Sequence, residues 1–230
     1  MKLWFLAALA LFFVPRSFGF CFQPVPSVVC KFLNSDAVFV GRAISIQAAP
    51  PWSEELDGSL YTLSVEELFR GPNAGKITVF TENSSGRYTL EVGKEYLIFA
   101  TQNLGRFEIG SCGNDVPLSE AMATIQRLRK LQIPDDALIE GGISFSGVPD
   151  QRPHAAGIQV RFRSGRKRFA AVTDADGHFE LHVPPGAYAA TVQEIPAWKI
   201  SPFDLSVEKA QRFTARAGHC SGLQFVADPN

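Results

Sequence analysis

Hydrophobic and polar positions alternate in short runs along most of this chain, and the part up to Lys130 is organised around the apolar run at residues 37–41. Ala37, Phe39 and Gly41 point to one side of an extended strand, and Val38 and Val40 to the other. A strand apolar on both faces is central, so later segments must wrap it. Ser35 and Asp36 read as the turn before it, Cys30 as its anchor, and Gly41 as a bulge or close backbone approach. A Pro-, Asp- and Ser-rich loop over 48–59 follows. Tyr61, Leu63 and Val65 then mark a half-buried strand, Ile77 and Val79 a third, and 95–101 (EYLIFAT) a fourth apolar on both faces. Residues 107–109 make a short fifth. The period then changes. Leu118, Met122, Ile125 and Leu128 line one face of a helix, with Asp115 as the expected N-cap.

Five strands and a terminal helix predict a small closed barrel of the OB type. Residues 132–142, with Pro134, two Asp and Gly141-Gly142, read as a connection whose centre, 134–141, is a linker. Beyond it alternation returns. Ile158, Val160 and Phe162 oppose Gln159, Arg161 and Arg163, and Ser164-Gly165-Arg166 turns the chain. Further inward sets are Phe179, Leu181 and Val183, then Tyr188, Ala190 and Val192, then Phe203, Leu205 and Val207, then Leu223, Phe225 and Ala227. About seven short strands at turn spacing predict a β-sandwich. The fold class is therefore mainly β, with a signal segment at 1–19, a barrel module at 20–133 and a sandwich module at 142–230.

Residues 1–19 have the form of an export signal. Lys2 gives the positive start, 3–14 the apolar stretch, and Ser17-Phe18-Gly19 a small-x-small cleavage site, leaving Phe20 first. No stretch is long enough to span a bilayer as a helix. In an oxidising compartment Cys21, Cys30, Cys112 and Cys220 form a disulfide set with three possible pairings. They contain no CxxC pair, so no zinc site is expected, and no cofactor either.

The net charge of −1 gives no general field for nucleic acid. Charge is uneven, however: 20–141 hold 10 Lys/Arg against 15 Asp/Glu, and 142–230 are slightly basic. The basic cluster is Arg161, Arg163, Arg166, Lys167 and Arg168. It reads first as a solvated, aggregation-resistant strand edge and second as a site for a polyanion or acidic partner. No aromatic platform is interleaved for nucleic acid. Asp174-x-Asp176-Gly177 reads as a hairpin turn before a calcium loop. His178, Glu180 and His182 share a strand face, about 6.7 Å between neighbours, and read as solvated. Asn83-Ser84-Ser85 is a glycosylation sequon in a host that glycosylates, and otherwise a turn. No nucleophile elbow, HExxH, P-loop or GxGxxG occurs.

Five motifs, SDAVFVGRA behind Cys30, YTLSVEELFRG, VGKEYLIFA, GSCG and PLSEA, stand in an order that resembles the netrin-like module, the group containing tissue inhibitors of metalloproteinases. The resemblance covers about 21–131. It implies an OB-fold barrel with its N-terminal segment pinned by disulfides, Cys21 pairing with Cys112, which leaves Cys30 for Cys220. The family's inhibitors chelate zinc through a mature N-terminal cysteine. Here Phe20 precedes Cys21, and Gln23 stands where the second cysteine of Cys-x-Cys belongs, so inhibition through Phe20, Cys21, Phe22 and Gln23 is the runner-up function. TDADGHF (173–179) and PPGAY (184–188) resemble the carboxypeptidase regulatory-like module, a transthyretin-like sandwich without catalytic activity. The expectation is thus an exported, non-catalytic binding or scaffolding protein. Its contacts are with an extracellular or periplasmic protein, or with glycan, and not with nucleic acid. An unrecognised hydrolase ranks third.

Overall fold

A computed structural model describes residues 25–49, 57–146, 155–203 and 210–230 of the chain. The expectations for 1–19, for Phe20, Cys21, Phe22 and Gln23, and for Leu205 and Val207 lie outside them. The structure is mainly β.

In the first module, helix α1 (Val28–Asn34) precedes β1 (Ala37–Ala48), β2 (Gly58–Arg70), β3 (Lys76–Glu82), β4 (Glu95–Asn103), β5 (Arg106–Glu108), β6 (Val116–Pro117) and helix α2 (Leu118–Leu128). Pairings run β1–β2–β3–β5–β4 and return from β4 to β1, so five strands close a ring, with β6 added on β4. β1 is central as expected, because it pairs with both β2 and β4. Ala37 and Phe39 pack inside the ring with Leu63, Val79 and Ile98. Val38 and Val40 pack outside it, against Leu33 of α1 and Ile125 of α2. The double-sided apolar pattern of β1 therefore has a partner on each side. The ladder to β2 slips at Val40/Gly41, where a bulge was expected.

One helix is new, and two local expectations change. Residues 28–34 are helical because Ser27 caps them, its hydroxyl accepting from Cys30 N at 3.1 Å. The N-cap of α2 is Pro117, with no side-chain cap, and Asp115 is instead buried, accepting from Phe99 N at 2.6 Å. Leu118, Ile125 and Leu128 face the ring as expected, but Ala121 rather than Met122 completes the face, and Met122 is exposed.

The second module is two four-stranded sheets face to face. One has the order β10-β7-β14-β12 and the other β13-β11-β8-β9. Their strands are β7 (Ala137–Phe145), β8 (Gln159–Ser164), β9 (Lys167–Val172), β10 (His178–Val183), β11 (Gly186–Val192), β12 (Trp198–Pro202), β13 (Gln211–Ala215) and β14 (Cys220–Pro229). Ile139, Val160, Phe162, Phe179, Leu223 and Phe225 fill the space between. A β-sandwich was expected, but from seven strands rather than eight. The linker 134–141 is the larger correction, since β7 begins inside it. Ala137, Leu138 and Ile139 are fully buried, and Gly141 is a close approach: a Cβ there would stand 2.1 Å from the Leu223 carbonyl. Phe203, expected inward, is 43% exposed. Gly177 has φ +82° in the hairpin that TDADGHF predicts, and the Asp174 carboxylate accepts from Asp176 N and His178 N. Gly186 has no positive φ and simply opens β11.

The modules meet at β7 and β14, which pair in parallel with Cys220 beside Leu138. Cys30 and Cys220 form a disulfide with Cα atoms 5.1 Å apart. The Asn34 amide both donates to Cys220 O (2.8 Å) and accepts from Cys220 N (3.0 Å). Ser27 N donates to the Glu140 carboxylate at 3.0 Å. Leu138 and Cys220 belong to the apolar cluster under α1 and α2, so the first core continues into the second module.

Candidate functional site

The period-2 geometry of β8 sends Val160 and Phe162 into the core and leaves Gln159, Arg161 and Arg163 outside. The ladders then build rows across that outer face. Arg163 stands beside Arg168 of β9 on one side and Ala189 of β11 on the other, and Ala189 beside Arg212 of β13. In the next row Arg161 lies between Ala170 and Thr191. Strand β11 contributes only Ala187, Ala189 and Thr191 to this face, so its middle is low and arginines flank it. The result is a trough of about 970 Å³ whose lining holds six apolar or neutral positions of β11 and β13 and the four arginines 161, 163, 168 and 212. Arg163 and Arg212 sit two strand spacings apart, about 10 Å, and Arg161 and Arg163 about 6.7 Å along the strand.

Local contacts aim these side chains. Arg161 Nε donates to Gln159 Oε1 at 2.7 Å. Arg163 Nε and Arg168 Nη1 both donate to the Gly165 carbonyl, at 3.1 and 3.4 Å. Among the described residues, none of Arg161, Arg163, Arg166, Lys167 or Arg168 forms an ion pair with a carboxylate. Elsewhere carboxylates do meet cations: Arg129 grips Glu67 with two bonds of 2.8 and 2.7 Å, and that guanidinium holds the Glu67 carboxyl below its usual range. Lys167 and Arg168 lie on β9, a sheet edge, as the edge reading has it. Arg161 and Arg163 lie on β8, an interior strand that needs no guarding. Arg212, 44 positions beyond Arg168, was not foreseen as part of this cluster. Only strand register places it there, and nothing local in the sequence signals it.

The outer face of the other sheet is acidic. Glu180 and Glu140 are directly opposite on β10 and β7, with Gly222 next on β14. His182 Nδ1 lies 3.1 Å from Asp136 and its Nε2 3.8 Å from Glu180, so the HFELH strand face joins an acidic surface. Ligand atoms of Cys30, Glu140 and Cys220 lie within 4.8 Å of one another, but both sulfurs belong to the disulfide and neither is a thiolate. Cys112 is also disulfide-bonded, and Cys21, its expected partner, lies outside the described residues. Asp115 is the one described carboxyl held at about pKa 7. Burial raises it, against the opposing bond from Phe99 N and the charge of Lys31. No described helix is long and apolar enough to cross a membrane.

No family profile and no curated protein sequence matches the chain. Among solved structures, the minor pilin GBS52 of Streptococcus agalactiae aligns at 10% identity over 85% of this chain and 84% of its own, with TM-score 0.34. The TIE protein of Bacillus anthracis aligns at 9% identity over 85% of this chain and 35% of its own, with TM-score 0.32. The pilus-presented adhesin Cpa aligns at 10% identity over 78% and 37%, with TM-score 0.30. Likeness at this level carries no argument about this chain.

Proposed function

We propose that the chain is an exported, non-catalytic binding protein that acts outside the cytoplasm through the cationic outer face of its second module. The first module is assigned to the netrin-like, OB-type barrels, supported by the order of its motifs and by five ring-paired strands followed by a helix. The second is assigned to the carboxypeptidase regulatory-like sandwiches, supported by TDADGHF and PPGAY. Export is supported by the pattern of 1–19 and by the Cys30–Cys220 bridge, a bond that persists in oxidising compartments.

One observation carries the binding role. Arg161, Arg163 and Arg168 converge on a trough without a carboxylate partner among the described residues, so their combined positive field is open to an anionic ligand. The test is surface plasmon resonance of the full chain against dextran sulfate, polyglutamate and a single-stranded oligonucleotide at about 0.15 M salt. The variant R161A/R163A/R168A is compared with K76A/K130A/K199A, which removes as many charges from elsewhere on the surface. Selective loss of binding by the arginine variant is the expected result. Equal binding by both variants, or no binding to any polyanion, overturns the proposal.

A further inference from the structure

We infer that the ligand of the cationic trough is a linear polysaccharide carrying carboxylate or sulfate groups. The inference rests on the cationic face being the binding surface. The arginine walls fit its acidic groups, and three observations separate this ligand from an acidic peptide or a nucleic acid.

The walls of the trough are formed by arginine rather than lysine. Arg161, Arg163 and Arg168 each offer a planar fork of donors, which matches carboxylate and sulfate oxygens two at a time. The floor is closed to main-chain pairing. Strands β8 and β11 are interior, with both sides occupied in the sheet ladder, so an extended peptide cannot dock here by adding a strand. The outward positions of β11 along the floor, Ala187, Ala189 and Thr191, are all short, so that strand builds no walls between which the alternate side chains of a bound peptide would be gripped.

Three aromatic residues border the trough but offer little open ring surface for stacking. Phe162 and Tyr188 are buried, and half-buried Phe213 already packs on Tyr188 at 5.9 Å between ring centres. Nucleic acid would therefore meet charge without a stacking platform. A polysaccharide needs neither main-chain pairing nor stacking. Its acidic groups project to the sides of a slim chain, where Arg161, Arg163 and Arg168 along one wall of the trough would grip them.

The experiment uses the full chain and three probes of matched charge: dextran sulfate, polygalacturonate and polyglutamate, with a single-stranded oligonucleotide as a fourth. At least one of the two polysaccharides is expected to bind about tenfold or more tightly than polyglutamate or the oligonucleotide. R161A/R163A/R168A should weaken that binding about tenfold or more and flatten its salt dependence, since fewer counterions are then released on binding. The variant R161K/R163K/R168K preserves charge and fold, and should still weaken binding several-fold because the fork is gone. Tighter binding of polyglutamate or the oligonucleotide overturns this inference and leaves the cationic-face proposal standing. A lysine variant that binds polysaccharide as well as the native chain also overturns it. Binding that ignores all three arginines overturns both.

Discussion

The two outer faces of the sandwich follow one alternation rule and end with opposite roles. On the β10-β7-β14-β12 side, the outward positions nearest the first module are Leu138, Glu140 and Cys220. All three are taken up at the joint, by apolar packing, by Ser27 and by Cys30 respectively. On the β13-β11-β8-β9 side, outward positions include Arg161, Arg163 and Arg168 beside short residues, with no module docked on them among the described residues. A sheet face is thus not adhesive or receptive by its strand pattern alone. What its neighbours leave unpaired decides it.

That contrast can be broken most severely at the joint. Replacing both Cys30 and Cys220 by Ala removes a bridge across a sequence separation of 190 residues, and chain entropy alone sets its contribution at about 5 kcal/mol. Chemical denaturation of the double variant should show a loss of that order. A loss under about 1 kcal/mol would mean that apolar packing alone joins the modules.

The next effect lies wholly within the first module and depends on pH. Asp115 titrates near 7 when folded and at an ordinary 3.8 when unfolded, so between those values the folded chain binds more protons. Its contribution to stability therefore declines as pH rises from about 4 to 7, by up to about 4 kcal/mol. Asp115→Asn keeps an acceptor for Phe99 N and has no charge to bury. Its stability relative to the native chain should rise by a few kcal/mol between pH 4.5 and 8. An unchanged difference at the two pH values would show that the ionised carboxyl is accommodated.

Asn34→Ala sharpens the comparison on a smaller scale. It strands both the N–H and the C=O of Cys220 at the joint, at about 1–3 kcal/mol. Two-state unfolding curves that superimpose on those of the native chain would count against this bond pair. The smallest effect belongs to the receptive face. R161A/R163A/R168A should move the denaturation midpoint by an amount equivalent to about 0.5 kcal/mol per site or less. A large loss there would mean that the trough, too, is structural.

Much of this architecture is legible along the chain, and the gaps have physical causes. Strands half exposed to water declare themselves by alternation, as in β8 and β10, and β1 declares its central place by being apolar on both sides. Helix α1 is hidden because VVCKFLN is a short apolar run with no readable period, and only the Ser27 cap distinguishes it. Strand β7 is hidden because Gly141-Gly142 looks like a flexible connection. In fact the missing Cβ of Gly141 makes room for the β14 carbonyl of Leu223, a fact about a residue 82 positions away. Asp115 sits where a helix cap belongs, and only the fold reveals that its carboxylate serves β4. At the site, the cluster from Arg161 to Arg168 is visible as composition, whereas its trough and Arg212 exist only once β11 and β13 are in register.

The parallel pairing of β7 with β14 also governs the order of events while the chain is being made. The strand that carries Cys220 is the last of the second module, so Cys30 is synthesised 190 residues before its partner. At the usual 5–20 residues per second, that separation corresponds to roughly 10–40 s. Once residue 108 has been made the first module has every strand of its ring, yet Cys30 still awaits its partner while Cys112, also destined for a bridge, has joined the same chain. Oxidative folding of this chain thus contains a built-in waiting period in which a premature bond must be prevented or undone. Alkylation of thiols on nascent chains of increasing length would time it directly.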